Sequence, residues 1–411
     1  CEACPGFTIR GMKHNVLVAG GGIGGLACAL ALGRAGVPVT VLEQAQAFGE
    51  IGAGIQLGPN AMRVLSDWGV ADALQEHASF PDELRVRSAH DGRLLGHMRL
   101  GASALAHYGH PYASVHRADL HRVLLSALLA GAPASLSLNA RMQDFALQDD
   151  AVSVRLESGQ VIEGEALVGC DGLWSRVRTG LLGPEPPRLT GHLAYRGMIP
   201  ADRLPRALAS NTVNAWLGPR MHVVHYPIRQ GRWFNVVAVV QGRVGQGHAG
   251  SDPRQWSQDA LTADLQRAMG PLGGDLQALI DAVPSWTLWS LHDRPPMTGP
   301  HEHARGRVAL LGDAAHPLRP YLAQGAAMAL EDAWTLGQLI DRHQHPVDWP
   351  AVFARFARIG IGPGRAFDAA RLALAWQHTL LTPVAVAADK SRVPVAQASV
   401  QLVGQNTPLI W

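Results

Sequence analysis

Cysteine is scarce: 411 residues hold four, Cys1, Cys4, Cys28 and Cys170. That number and spacing exclude a disulfide framework. Cys1 and Cys4 form a C-x-x-C pair, but no second pair or histidine cluster completes a zinc site, so no metal is expected. The pair reads as an upstream remnant, and residues 1–11 are set aside. An excess of either charge is missing too. The formal net charge is +2, the arginines are scattered, and no field argues for nucleic acid or an anionic membrane. Long hydrophobic runs are also lacking. The longest, Leu372 to Ala388, is short for a bilayer and is interrupted by Gln377, His378 and Pro383. No signal peptide precedes the first strand, and the expected setting is cytoplasmic and reducing.

What is present is the composition of a globular chain able to bury a sizeable core, 47% apolar and 17% charged. From Asn15 to Glu43 the order is apolar strand, "GGGIGG", alanine-rich helix, and a second strand "VPVTVLE". This βαβ unit sets Gly20-x-Gly22-x-x-Gly25 directly after a strand and at the opening of a helix. Gly20 permits the tight turn, Gly22 admits a pyrophosphate, and Gly25 allows close helix–sheet packing, while Glu43 stands where a ribose-binding acid is expected.

The motif alone does not choose between NAD and FAD. Two further turns argue for FAD. "VGCDGLWSRVR" carries Asp171 and Gly172 after one strand, and "LLGDAAHPLRPYLAQGAAMALEDAW" carries Asp313 after another. A ribityl chain has extra hydroxyls for such acids to hold. The last turn contains no serine, cysteine or metal-ligand cluster, so it is not a nucleophile site.

Between about Leu189 and Leu291 the texture changes to short alternating segments, "TVNAWLG", "MHVVHYPI" and "WFNVVAVV". They predict a mainly antiparallel sheet inserted into an α/β frame. The expected division is residues 12–188 and 292–358 for a Rossmann-like nucleotide domain, 189–291 for the inserted domain, and 359–411 for a divergent tail. In "MHVVHYPI" the strand period puts His222, Val224 and Tyr226 on one face, and Met221, Val223 and His225 on the other. The first face, with an imidazole of ordinary pKa near 6.5 and a phenol, suits the polar end of an aromatic pocket. Tyr112 is a weaker third member.

Four stretches together resemble the FAD-dependent aromatic hydroxylases built like para-hydroxybenzoate hydroxylase, most closely the salicylate and 3-hydroxybenzoate hydroxylase branch. They are "VAGGGIGGLACALALGRAGVPVTVLEQ", "VHRADLHRVLL", "LVGCDGLWSRVR" and "VALLGDAAHPLRPYLAQGAAMALEDA", and the resemblance spans residues 12 to 358. It implies that Asp313 binds a ribityl hydroxyl, that Arg117 contacts the flavin, and that Asp171 with Gly172 serves FAD and reduced nicotinamide. The helix beginning near Gly325 would present its positive end to the pyrimidine edge of the flavin. Gln324 and the backbone of Pro320 would border the substrate ring. His316 is expected to fix the loop by hydrogen bonds rather than act as a base.

The implied reaction uses NADH or NADPH, O₂ and a flavin hydroperoxide to hydroxylate a small aromatic acid such as salicylate or 3-hydroxybenzoate. His222 would accept the phenolic proton and Tyr226 would orient the ring. A hydroxypyridine carboxylate or a larger aromatic or polyketide substrate is the alternative. So is a non-catalytic FAD-binding paralogue, motivated by Gly360, Gly362, Pro363 and Gly364, which break helices where the family continues in one. A same-frame halogenase lacks support, because "SWTLWSL" does not supply W-x-W-x-I-P. A homodimer is the one protein partner considered.

Overall fold

A computed structural model describes residues 15–49, 53–242, 258–321, 323–340 and 346–360. Val16–Ala19 is the heart of a six-stranded sheet in the order 304–305, 308–310, 166–169, 16–19, 39–42, 134–137. Its inner pairings are parallel, with Val16 opposite Ala166 on one side and Val39 on the other. Both Val16–Ala19 and Ala166–Gly169 are buried at every residue, which explains their unbroken apolar sequences. One face is covered by the helices Ile23–Arg34, Arg117–Gly131 and Gly325–Gln338. The other carries a three-stranded sheet, residues 142–164, whose Val152, Val154 and Ile162 pack on Leu17 and Leu167.

A second sheet has eight strands, antiparallel except where Thr212–Gly218 runs parallel to Glu83–Ser88. The helices Thr262–Met269 and Gly274–Ala282 pack on one face through Leu265, Leu276 and Ile280 against Trp216, Val223 and Val236. The opposite face looks back at the nucleotide sheet. The fold is thus a Rossmann-like α/β unit joined to a mainly antiparallel sheet, with the helices Gly325–Gln338 and Trp349–Gly360 the last described elements.

The large sheet draws on more than residues 189–291. Glu83–Ser88 and Leu94–Arg99 form its far edge, with Leu84 and Val86 facing inward and Arg85 and Arg87 alternating with them. Arg87 stacks over Trp216 at 5.5 Å, so charged residues there hide a strand from an apolar pattern search. At the other end, Trp349–Gly360 is one helix that buries Trp349, Phe353 and Phe356, so residues 359 and 360 belong to it and not to a tail. Gly362, Pro363, Gly364 and the remainder to 411 lie outside the described residues. Among the described residues no helix is long and apolar enough to cross a membrane, and no group of three or more His, Cys, Asp or Glu could hold a metal ion.

Candidate active site

The glycine turn is built by exclusion. Gly20 has φ +99°, and a Cβ there would stand 2.5 Å from the Cys170 carbonyl oxygen. A Cβ on Gly25 would lie 1.8 Å from the Gly20 carbonyl oxygen, so the helix starts as close to the strand as backbone allows. Gly22 caps Ile23–Arg34 with no side-chain cap and no acid in the first turn, which leaves the helix N-terminus open to an anion. Glu43 clamps the turn: Oε2 accepts from Gly21 N at 2.7 Å and Oε1 from Ala45 N at 2.7 Å. A histidine that the motif does not announce, His121, sits with Nε2 2.8 Å from the Gly21 carbonyl oxygen.

The second turn spends its acid inward. Asp171 Oδ1 accepts the Ser175 hydroxyl at 2.5 Å, and Oδ2 accepts the N–H groups of Arg176 and Val177 at 2.6 and 3.1 Å. Burial pushes the carboxyl up despite these donors. Ser175 in turn caps the following helix through Arg178 N at 2.8 Å. The Arg178 guanidinium donates to the carbonyls of Ala314 and Ala315 at 3.2 and 2.7 Å, which ties this turn to the third.

In the third turn Gly312 has φ +61° and Asp313 is exposed towards the cavity, where a Cβ on Gly325 would be 3.9 Å from its Oδ1. His316 lies outside the cavity lining and pairs with Asp332, Nε2 to Oδ2 at 2.6 Å. Burial alone would lower that imidazole, but the Asp332 carboxylate outweighs it and holds the pKa above the ordinary value. Pro320 and Gln324 both line the cavity. Gln324 caps Gly325–Gln338 and accepts from Asn60 Nδ2 at 3.3 Å, while the same Asn60 amide donates to Glu331 at 3.1 Å.

These turns and the large sheet enclose one cavity of about 1300 Å³. Every residue singled out in the sequence as touching cofactor or substrate lines it except Gly25, which is pressed beneath it. The volume exceeds the roughly 300–1,000 Å³ of a single small-ligand pocket. It accommodates a dinucleotide along the glycine turn and a small ring under the sheet. The open helix N-terminus, the Cβ-free cradle and Asp313 fit an FAD.

On the sheet, His222, Val224 and Tyr226 face the cavity, while Met221 and Val223 join the core behind. His225 faces away as well and accepts the Trp216 indole N–H at 3.1 Å. Tyr226 is buried, hydrogen-bonds to Gln56 and Asn235, and has its pKa raised, chiefly by desolvation. Tyr112 donates to the side-chain Oε1 of Gln56. The expectation of an ordinary imidazole at His222 is not met. Burial, reinforced by His192, pushes it down to about 4, so at neutral pH it is a neutral hydrogen-bonding group and a weak proton acceptor. Arg117, the first residue of Arg117–Gly131, reaches the cavity from the side of the nucleotide turn.

Residues absent from the sequence reading complete the chamber. Tyr321 stands between His222 and His192, at ring distances of 5.3 and 6.3 Å. Arg196 projects from the middle of Arg188–Pro200 and stacks on Trp289 at 4.1 Å. A period-two signal, Ala194, Arg196, Met198, marks it as a charge on an otherwise apolar face.

A glycine-turn nucleotide site opening into an aromatic-sized chamber beneath an antiparallel sheet defines a flavin-dependent oxygenase fold. A family model described as "FAD binding domain" matches residues 13–343. The 3-hydroxybenzoate 6-hydroxylase of Polaromonas naphthalenivorans (strain CJ2) is 39% identical over 84% of this chain and 82% of its own length. The 6-hydroxynicotinate 3-monooxygenase of Bordetella bronchiseptica is 36% identical over 80% and 83%. A salicylate hydroxylase substrate complex superposes with TM-score 0.76 at 26% identity, covering 95% of this chain and 93% of that one. The chain belongs to the FAD binding domain family, among its aromatic-ring hydroxylases.

Proposed function

We propose that this enzyme uses NADH or NADPH to hydroxylate a small aromatic acid, with 3-hydroxybenzoate first among the substrates to try and salicylate next. The observation that carries this reading is the single cavity joining the glycine turn to the face holding His222 and Tyr226. A hydroxypyridine carboxylate is the second reading, favoured by the likeness to a 6-hydroxynicotinate 3-monooxygenase.

When bound, FAD supplies the electron transfer and oxygen activation that no side chain here can perform. The protein's part is binding, orientation and exclusion of water. The N–H groups at Gly22 and Ile23 would hold the pyrophosphate, Glu43 a ribose hydroxyl and Asp313 a ribityl hydroxyl, while Glu43 and Asp171 also keep their turns in shape. Arg117 would meet the flavin, and the helix N-terminus at Gly325 would favour negative charge on it. Gln324 and Pro320 border the ring. His222 and Tyr226 hydrogen-bond its hydroxyl, and the apolar sheet face keeps water away. We further infer a cytoplasmic enzyme, in keeping with the free thiols of Cys28 and Cys170.

The test is NADH and NADPH oxidation by the flavin-loaded protein across hydroxybenzoates and hydroxypyridine carboxylates, with products identified by mass spectrometry. Substrate-stimulated oxidation with a hydroxylated product is the expected result. FAD retention with no stimulation by any of these acids would overturn the small-acid reading in favour of a larger aromatic substrate or a non-catalytic flavoprotein.

A further inference from the structure

The cavity-facing side of the large sheet can be read row by row from its register. Val224 is opposite Val237, which on its other side is opposite Arg196. The rows on either side are His222, Val239, Ala194 and Tyr226, Asn235, Met198. A flat apolar floor of two valines therefore runs between an imidazole and a phenol and ends at a guanidinium. With neighbouring strands about 4.8 Å apart, Arg196 stands roughly 10 Å across the sheet from Val224. An aromatic ring on the two valines would direct one substituent at the His222–Tyr226 side and another at Arg196.

Arg196 is the unusual member of this floor. Its Nε is buried with no hydrogen-bond partner, and among the described residues no carboxylate pairs with it. The residue is part-buried, and a guanidinium turned away from water at Nε without an anion is costly unless another charge offsets it. Trp289 holds the guanidinium in place without neutralising it. The other cavity arginines on this side are already engaged. Arg319 pairs with Asp293, and Arg294 donates to the carbonyls of Leu173 and Glu185. Burial lowers Arg196 to about 10, which leaves it a cation at neutral pH, and His222 is neutral there. The floor thus presents one unneutralised positive charge beside two neutral hydrogen-bonding groups.

We propose that Arg196 is the specificity-determining residue for the substrate's carboxylate: held by Trp289 at the end of the Val224–Val237 floor, it takes the anionic group and selects aromatic acids over neutral phenols of the same shape. The inference rests on the aromatic-acid reading above and names the residue that enforces it. A planar guanidinium suits a carboxylate because both present paired, coplanar hydrogen-bonding atoms.

The experiment compares calorimetric binding of 3-hydroxybenzoate and its neutral isostere 3-hydroxybenzamide to the flavin-loaded parent, Arg196→Met and Arg196→Lys, with flavin content per chain as the folding control. Arg196→Met should weaken acid binding by about 30-fold or more, the scale of a lost buried charge partner. Amide binding should hold within about 3-fold. Arg196→Lys should recover part of the acid affinity. Equal weakening of acid and amide, or release of the flavin by Arg196→Lys, would overturn the assignment. So would a parent that binds the acid no more tightly than Arg196→Met does. A parent that holds FAD and binds neither 3-hydroxybenzoate, salicylate nor a hydroxypyridine carboxylate would overturn the aromatic-acid reading itself, and this inference with it.

Discussion

His316 and Asp332 form an ion pair in which one carboxylate oxygen serves two donors. Asp332 Oδ2 lies 2.6 Å from His316 Nε2 and also accepts the Gly312 N–H at 3.0 Å. The pair therefore holds both ends of the turn that carries Asp313. Burial opposes the charge on each partner, yet their mutual attraction raises the imidazole above its ordinary 6.5 and lowers the carboxyl below its ordinary 3.8. The imidazole's contribution to stability is complete below pH 6.5 and is lost as pH rises through its folded value. The carboxylate's is present above 3.8 and is lost as pH falls through its depressed value. Parent urea midpoints should fall as pH climbs from 6 to 9. Asp332→Asn should flatten that slope and cost about 3 kcal/mol, the scale of breaking a buried pair. A slope unchanged in Asp332→Asn would remove the pair from this role.

Asp313 is exposed and lines the cavity, so its removal should be felt first by the cofactor. Asp313→Ala should lose FAD during dialysis that leaves the parent loaded. Its apoprotein should unfold within about 0.5 kcal/mol of the parent apoprotein, as surface changes usually do. Equal flavin retention would detach Asp313 from the ribityl chain.

The two histidines of Met221–Ile228 should separate function from stability. His222→Ala removes the hydrogen bond proposed to the substrate hydroxyl and should lower product formed per NAD(P)H consumed, with little change in melting temperature. His225→Ala leaves the buried Trp216 indole N–H without an acceptor and should cost about 1–3 kcal/mol while product yield holds. Because His222 titrates at about 4, parent coupling should show no inflection from this group between pH 6 and 8. An inflection abolished by His222→Ala would mean that the bound substrate restores its basicity.

Gly25→Ala is the sharpest backbone test. The added methyl meets the Gly20 carbonyl at 1.8 Å, and two backbones cannot part by a rotamer change. The variant should fail to retain FAD, whereas Gly159→Ala, also a turn glycine but with nothing within 4 Å, should keep it despite a strained φ of +85°. Spectral quantification of flavin per chain distinguishes them.

The parts legible in the sequence are those where geometry leaves few choices. A glycine turn between strand and helix has one spacing, and a two-residue period assigned His222 and Tyr226 to a common face because strands alternate. The unread parts depend on what arrives from elsewhere in the chain. A motif names Asp171 but not where its oxygens point, and they turn to the amides of Arg176 and Val177. His222 is driven to low pKa by burial in the assembled chamber, with His192 adding to it, and neither lies in its own strand. Arg85 and Arg87 conceal an inward-facing Leu84 and Val86, and Arg196 is informative only once Val224 and Val237 are known to lie beside it.

The brace from Arg178 to the Ala314 carbonyl also imposes an order of assembly. Its two ends are 136 residues apart, and Val308–Leu310 is the strand that covers the open edge of Ala166–Gly169. A chain emerging from the ribosome has its glycine turn long before it has Asp313, yet until residue 315 is made that sheet edge is bare and the second acidic turn has nothing to lean on. Every nascent chain must therefore hold an unfinished parallel sheet while six of the eight strands of the large sheet are translated in between.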